Sequence, residues 1–221
     1  MNNKVIVLIS VWFTAVGLHA QQELLQNPSF EGEPLMGGGG FSVGDLVDDW
    51  MDWNQFLFPQ QSPPDVHAAR SGYWGVITVP QDGQTFIGLV VRDSRTWEGI
   101  GQKLREPLQP GHRYLLSVYV CRDLRYESPS ADDINTKKSF AAAAVLRISA
   151  SAYRGRKEVF LWQSDPVQND QWERLEVMLE PDQAFKYLVL SAYYDPARGS
   201  YYNGNLMLDH ASLVEITPND E

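Results

Sequence analysis

The sequence predicts an all-β protein made of two antiparallel sheets packed face to face. Three observations point there. Apolar and polar residues alternate at period two in one segment after another, turn-forming residues separate those segments, and no stretch carries helical periodicity. One apolar and one polar face per strand is the pattern of a sheet with one side on a core and the other in water.

In chain order, 74–79, 85–92 and 99–104 read as the first strands. In 113–122, Tyr114, Leu116, Val118 and Val120 mark one face. In 145–153, Leu146, Ile148, Ala150 and Ala152 share a face, with Arg147, Ser149 and Ser151 on the other. A further strand is expected at 157–163. Leu175, Val177 and Leu179 then alternate with Arg174, Glu176, Met178 and Glu180, and 187–194 and 206–216 complete the set. Gln81-Asp82-Gly83-Gln84 reads as a hairpin connection and Pro107-Leu108-Gln109-Pro110-Gly111 as a stiff turn. Two insertions interrupt the rhythm. Segment 33–64, with Gly37 to Gly40 and several large aromatics, is expected to fold back over the sandwich. Segment 124–140, rich in Ser, Asp and Lys, is expected to be a mobile surface loop.

Lys4, the apolar run from Val5 to Leu18 and the small Ala20 read as a secretory signal over 1–20, too short for a membrane span. The mature chain is then expected to be one β-sandwich domain over 21–216 with a short tail at 217–221, secreted or periplasmic, in the cell envelope. Loss of Lys4, and of no acidic residue, takes the formal net charge from −10 to −11. That balance disfavours nucleic-acid backbones and anionic membrane surfaces, and no second apolar segment calls for membrane insertion. Cys121, the only cysteine, allows no intrachain disulfide and reads as a buried thiol.

Short signatures stand at the two ends of this run: Asn27-Pro28-Ser29-Phe30-Glu31 and Leu206-Met207-Leu208-Asp209-His210. If the ends pair in space, Glu31 and Asp209 converge, and two carboxylates suit a hard cation. The competing reading has Glu31 capping local backbone amides and Asp209 making a strand-end hydrogen bond. His210 is expected on the opposite side of its strand from Asp209.

The order of these signatures with Trp50, Pro64-Asp65-Val66-His67, Ser71-Gly72-Tyr73, Phe86-Ile87-Gly88-Leu89, Trp97-Glu98-Gly99-Ile100-Gly101-Gln102-Lys103-Leu104, Pro107-Leu108, Gly111, Tyr114, Trp172 and Leu208-Asp209 resembles a known arrangement. It is similar to jelly-roll domains of galactose-binding-like type in exported proteins of Bacteroidetes. The same end signatures occur in calcium-containing carbohydrate-binding modules. The resemblance implies a jelly-roll β-sandwich of two antiparallel sheets and a structural calcium held by Glu31 and Asp209. The chain departs from that pattern at His210, where such domains commonly carry a second Asp.

Sugar rings stack their apolar C–H faces on aromatic side chains while planar polar groups take the hydroxyls. Trp53, Trp74 and Trp97 lie near loops or strand ends, and Tyr194, Asp195, Arg198, Tyr201 and Tyr202 crowd one loop; these are the candidate ligand residues. Trp50 and Trp172 read as core. Catalysis has little support: no Gly-x-Ser-x-Gly and no His-Glu-x-x-His occurs, and Asp93 and Glu98, near each other in sequence, could mimic an acid pair for glycoside cleavage but read as ordinary surface carboxylates. The expectation is a non-catalytic binding module for a carbohydrate or envelope glycan. The alternative is a protein-interaction or assembly factor of the envelope, and a polysaccharide-degrading enzyme comes third.

Overall fold

A computed structural model describes residues 21–34, 47–59, 61–69, 72–129 and 135–216. The expected signal at 1–20, the glycines at 37–40 and the tail at 217–221 lie outside these residues. The described strands are β1 (Met51–Asp52), β2 (Asp65–Ala68), β3 (Thr85–Val91), β4 (Gly99–Leu108), β5 (Arg113–Cys121), β6 (Glu127–Pro129), β7 (Lys137–Ser139), β8 (Ala142–Ala143), β9 (Val145–Ser151), β10 (Val159–Pro166), β11 (Glu173–Leu179), β12 (Phe185–Tyr193) and β13 (Gly204–Ile216). Among the described residues the only helical turns are short 3-10 pieces at Asn54–Phe56, Tyr73–Gly75 and Pro196–Arg198.

One sheet runs β1-β4-β12-β9-β10 and the other β11-β5-β13-β3-β2, with β8 lying parallel on β13 and every other pairing antiparallel. The chain is therefore a jelly-roll sandwich. The main core fills the space between the sheets with alternate residues of each strand. Ile87, Leu89 and Val91 of β3 meet Leu188, Leu190 and Ala192 of β12 there, with Phe30 and Trp50 fully buried at one end. A satellite cluster covers the other face of the second sheet: Phe86, Val90, Cys121 and Met207 beneath Val76, Tyr126 and Phe140, with Trp74 and Trp172 packed on its flank. Cys121 is buried, and burial pushes its thiol far up.

The first and last described segments pair. Glu23 bridges Val214, Leu24 N–H donates to the Leu213 carbonyl at 2.9 Å, and Ala211 N–H donates to the Pro28 carbonyl at 2.8 Å.

Two expectations are corrected. Residues 76–79 form no strand: Gly72, Trp74 and Gly75 all take positive φ, turning 73–75 into a 3-10 piece. The segment after it is held by Asp123, whose Oδ2 accepts from Ile77 N–H and Thr78 N–H. Residues 124–140 are also more than a loop, since β6 and β7 pair as a hairpin anchored by buried Tyr126 and Phe140. The described part of the first insertion does fold over the sandwich. Trp53 lies across the first sheet so closely that a Cβ on Gly101 would sit 2.4 Å from its ring.

Candidate functional site

The loop joining β12 to β13 builds an aromatic shelf at one edge of the sandwich. Asp195 opens its 3-10 turn, accepting from Ala197 N–H at 2.9 Å, and Gly199 closes it with φ 66°. Tyr194 is 7% exposed, and its hydroxyl lies 2.6 Å from the Arg92 carbonyl and 2.8 Å from that of Thr96. The Tyr202 hydroxyl donates to the Ala143 carbonyl at 2.8 Å and accepts from Asp195 N–H at 2.9 Å. These two tyrosines are the backing of the shelf. Trp97 locks it from below, edge-on to Phe58, Tyr193 and Tyr194 with centroids 4.8, 5.0 and 6.4 Å away.

Tyr201 is the ring that faces water, 51% exposed, supported edge-on by Tyr194 at 4.9 Å. Guanidinium groups lie on three rings of the shelf. Arg95 lies 5.2 Å from the Tyr201 centroid, Arg198 4.4 Å from that of Tyr202 and Arg147 3.3 Å from that of Tyr193. Phe160, 55% exposed, stands on the far side of Arg147 at 5.6 Å.

Of the eight ligand candidates, Trp97, Tyr194, Asp195, Arg198, Tyr201 and Tyr202 come together here. Trp53 and Trp74 do not. Trp53 is 1% exposed against β4, giving its Nε1–H to Glu158 at 2.8 Å, and Trp74 gives its own to Asp65 at 3.2 Å beside the satellite cluster. Arg95, Arg147 and Phe58 escaped sequence reading. Arg147 had a signal, because the alternation in β9 sets one long cation on a face otherwise made of serines.

The titratable groups best shielded from water lie elsewhere; most are paired, whereas His67 has both ring nitrogens buried without a hydrogen bond, its Nε2 3.9 Å from Asp65. Tyr126 donates to Asp65 Oδ2; Arg92 pairs with Glu98 Oε1, while Glu98 Oε2 accepts from Val90 N–H. Burial pushes the Glu98 carboxyl up against the pull of Arg92, and pushes His67 down. Asp65, His67, Glu98 and Tyr126 are all under 5% exposed. Asp93 does not join Glu98 as an acid pair; it faces water and meets Lys138 at 3.0 Å.

Glu31 and Asp209 act on one turn. Glu31 accepts from Gln84 N–H at 2.9 Å and Thr85 N–H at 3.4 Å, and Asp209 Oδ2 accepts from Gln81 N–H and Asp82 N–H at 2.7 and 3.0 Å. Asp209 Oδ1 takes His210 N–H at 2.7 Å. Calcium needs six to eight oxygens around it. Here N–H groups face the carboxylates, and among the described residues no three His, Cys, Asp or Glu side chains gather as metal ligands. The pair as placed does not fit the ion. His210 departs from its expected side as well: a register shift after Asp209 and a φ of 42° turn its Nδ1 to within 3.6 Å of Asp82.

A separate hollow of about 420 Å³ opens beside the satellite cluster, between Asp123, Asp170 and Trp172, rimmed by the exposed side chains of Ile77, Val79 and Leu124. No described helix is long and apolar enough to cross a membrane.

No protein-family model matches the sequence, and no curated protein does. Solved structures match the fold. The arabinose-bound MgGH51 α-L-arabinofuranosidase superposes with a TM-score of 0.53 at 15% identity, over 90% of this chain; the match spans 27% of the enzyme. A cyclase from Fischerella sp. TAU superposes at 0.54 with 11% identity, over 89% of this chain and 98% of its own. The CBM22-1 xylan-binding domain of Paenibacillus barcinonensis Xyn10C covers 90% of this chain and 97% of its own at 15% identity and a TM-score of 0.48, too loose to bear on anything further. At these identities the matches concern the fold alone.

Proposed function

We propose that this chain is a non-catalytic, exported module that binds carbohydrate on the shelf formed around Tyr194 to Tyr202. The observation that carries the reading is the exposed Tyr201 ring, supported from behind by Tyr194, with Arg95 over it and Arg198 over the neighbouring Tyr202. A sugar can lay its C–H face on such a ring while the guanidinium groups reach its hydroxyls, and a prearranged platform loses little entropy on binding. The jelly-roll sandwich hosts catalysis as well as binding, so the fold does not choose between them. The burial of Asp65, His67, Glu98 and Tyr126 supports the binding role, because a catalytic acid or base must reach the proton it moves.

Affinity electrophoresis through soluble polysaccharides tests this. Retardation of the native protein, lost in Tyr201→Ala with the melting temperature unchanged, is the expected result. Unchanged mobility across a broad panel defeats the reading. Export is checked by N-terminal sequencing of the protein from culture, which is expected to begin at Gln21.

The exposed Ile77, Val79 and Leu124 around their hollow favour a second reading, an envelope protein as partner at that face. It predicts a pull-down product that Leu124→Asp removes and Tyr201→Ala leaves in place.

A further inference from the structure

In this chain of net charge −10, several cations are neutralised locally: Arg92 by Glu98, Lys138 by Asp93, Arg113 by Glu180 and Arg174 by Glu176. The cations of the shelf are arranged differently. Arg95, Arg147 and Arg198 each lie on a tyrosine ring, and among the described residues none has a carboxylate within ion-pair distance. The rings beneath them form one connected set, since Tyr194 touches Tyr193, Tyr201 and Tyr202 at 5.6, 4.9 and 5.8 Å.

Arg147 is the most constrained of the three. Its guanidinium carbon lies 3.3 Å from the Tyr193 centroid, and its Nε is buried without a hydrogen-bond acceptor. A stacked guanidinium presents its N–H groups along its edge, in the geometry that grips a carboxylate or sulfate with two parallel bonds. Glu158 is the nearby acid and feels the Arg147 charge, but its carboxylate is engaged by Trp53 and does not come within ion-pair distance of the guanidinium. The same pairing of cation and ring recurs at the turn between β9 and β10, where Arg156 and Lys157 lie 5.4 and 4.9 Å from the centroid of Tyr153, itself 47% exposed.

We propose that the ligand of this shelf is an acidic carbohydrate, a chain whose sugars carry carboxylate or sulfate groups. Arg147, Arg95 and Arg198 grip the anions while Tyr201 and Phe160 take the ring faces. The inference rests on the carbohydrate-binding reading and adds the class of sugar. The three arginines of the shelf, each on its own tyrosine, match a ligand that repeats one charge and one apolar face per unit. They match a nucleic-acid duplex poorly, with its charge every ~1.7 Å, and the strongly negative protein repels so dense a polyanion.

The test compares matched polymers by affinity electrophoresis and calorimetry at two salt concentrations: polygalacturonate against methyl-esterified pectin, and dextran sulfate against dextran. Yeast RNA and vesicles of anionic phospholipid serve as non-carbohydrate polyanions. Expected is a preference of about tenfold or more for one or both charged polymers over their neutral partners, weakening in salt. The two charged polymers tell carboxylate from sulfate. Arg147→Gln abolishes the preference; should that half-buried position disturb folding, the exposed pair Arg95→Gln and Arg198→Gln together make the same test. Equal binding of neutral and charged polymers overturns the acidic class and leaves the carbohydrate reading standing, whereas no binding of any polysaccharide overturns both. A preference unmoved by the arginine substitutions overturns the site, and equal binding of RNA or vesicles overturns the carbohydrate as its target.

Discussion

Asp52 carries a pH signature that a single substitution can isolate. It is 6% exposed, its Oδ1 accepts from Asn54 and Gln55 N–H, and burial lifts its pKa from 3.8 to about 6 despite those bonds and the pull of Arg92. A carboxyl whose folded pKa is raised adds stability in acid and loses it as pH rises through the folded value. Asp52→Asn keeps the accepting oxygen and removes the titration. Denaturant unfolding between pH 4 and 7 is therefore expected to shift by up to about 3 kcal/mol in favour of the variant as pH rises, at about 1.4 kcal/mol per pKa unit. Parallel pH profiles would refute the shift. Tyr126→Phe strips one donor from buried Asp65 and is expected to cost about 1–3 kcal/mol, read from urea midpoints. Gly101→Ala drives a methyl into the Trp53 ring and is expected to cost about 1–3 kcal/mol in the same assay. The last two contacts are not legible in the sequence, because each joins residues from separate segments. Tyr126 and Asp65 lie 61 positions apart.

Elements are where the sequence speaks most clearly, and where its silences have physical causes. The alternation of Tyr114, Leu116, Val118 and Val120 becomes the buried face of β5, because a strand between two neighbours has its sides set by the pleat. The same reasoning fails at 74–79, where positive φ at Trp74 and the grip of Asp123 outweigh β propensity. It fails again at 127–139, whose polar hairpin carries no apolar alternation to announce it, only Tyr126 and Phe140 at its base. In β13 the bulge after Asp209 defeats counting by two, so His210 joins Asp209 at the 81–85 turn. The candidate site divides in the same manner. The dense tyrosines of one loop can be read directly, but the sequence cannot say that Arg147 and Arg95 reach them or that Trp53 and Trp74 belong elsewhere. The amide clamp on that turn gives the element-scale prediction. Asp209→Ala frees two turn N–H groups and is expected to lower the melting temperature equally in calcium and in chelator, with the parent protein unresponsive to the ion. A calcium-dependent rise in the parent would restore the metal reading.

Across the whole molecule, Cys121 sits at 0% exposure on the inner side of the satellite cluster, so its thiol meets solvent only when that cluster opens. Alkylation by iodoacetamide is expected to follow global unfolding across a denaturant series. Labelling well below the unfolding midpoint would reveal that the face carrying Trp74, Tyr126 and Trp172 opens independently of the main core. The pairing of residue 23 with residues 212–214 carries a different consequence. Glu23 is fastened to Val214 by a bridge, and its carboxylate accepts from Ser212 Oγ–H and Leu213 N–H. Such proximity makes the order of the strands separable from their arrangement. A short Gly-Ser tether could join residue 216 to residue 21, with new ends opened at the exposed turn of Arg154 to Lys157. The permuted protein would then keep both sheets and its Tyr201 platform while its first and last residues changed places in the chain.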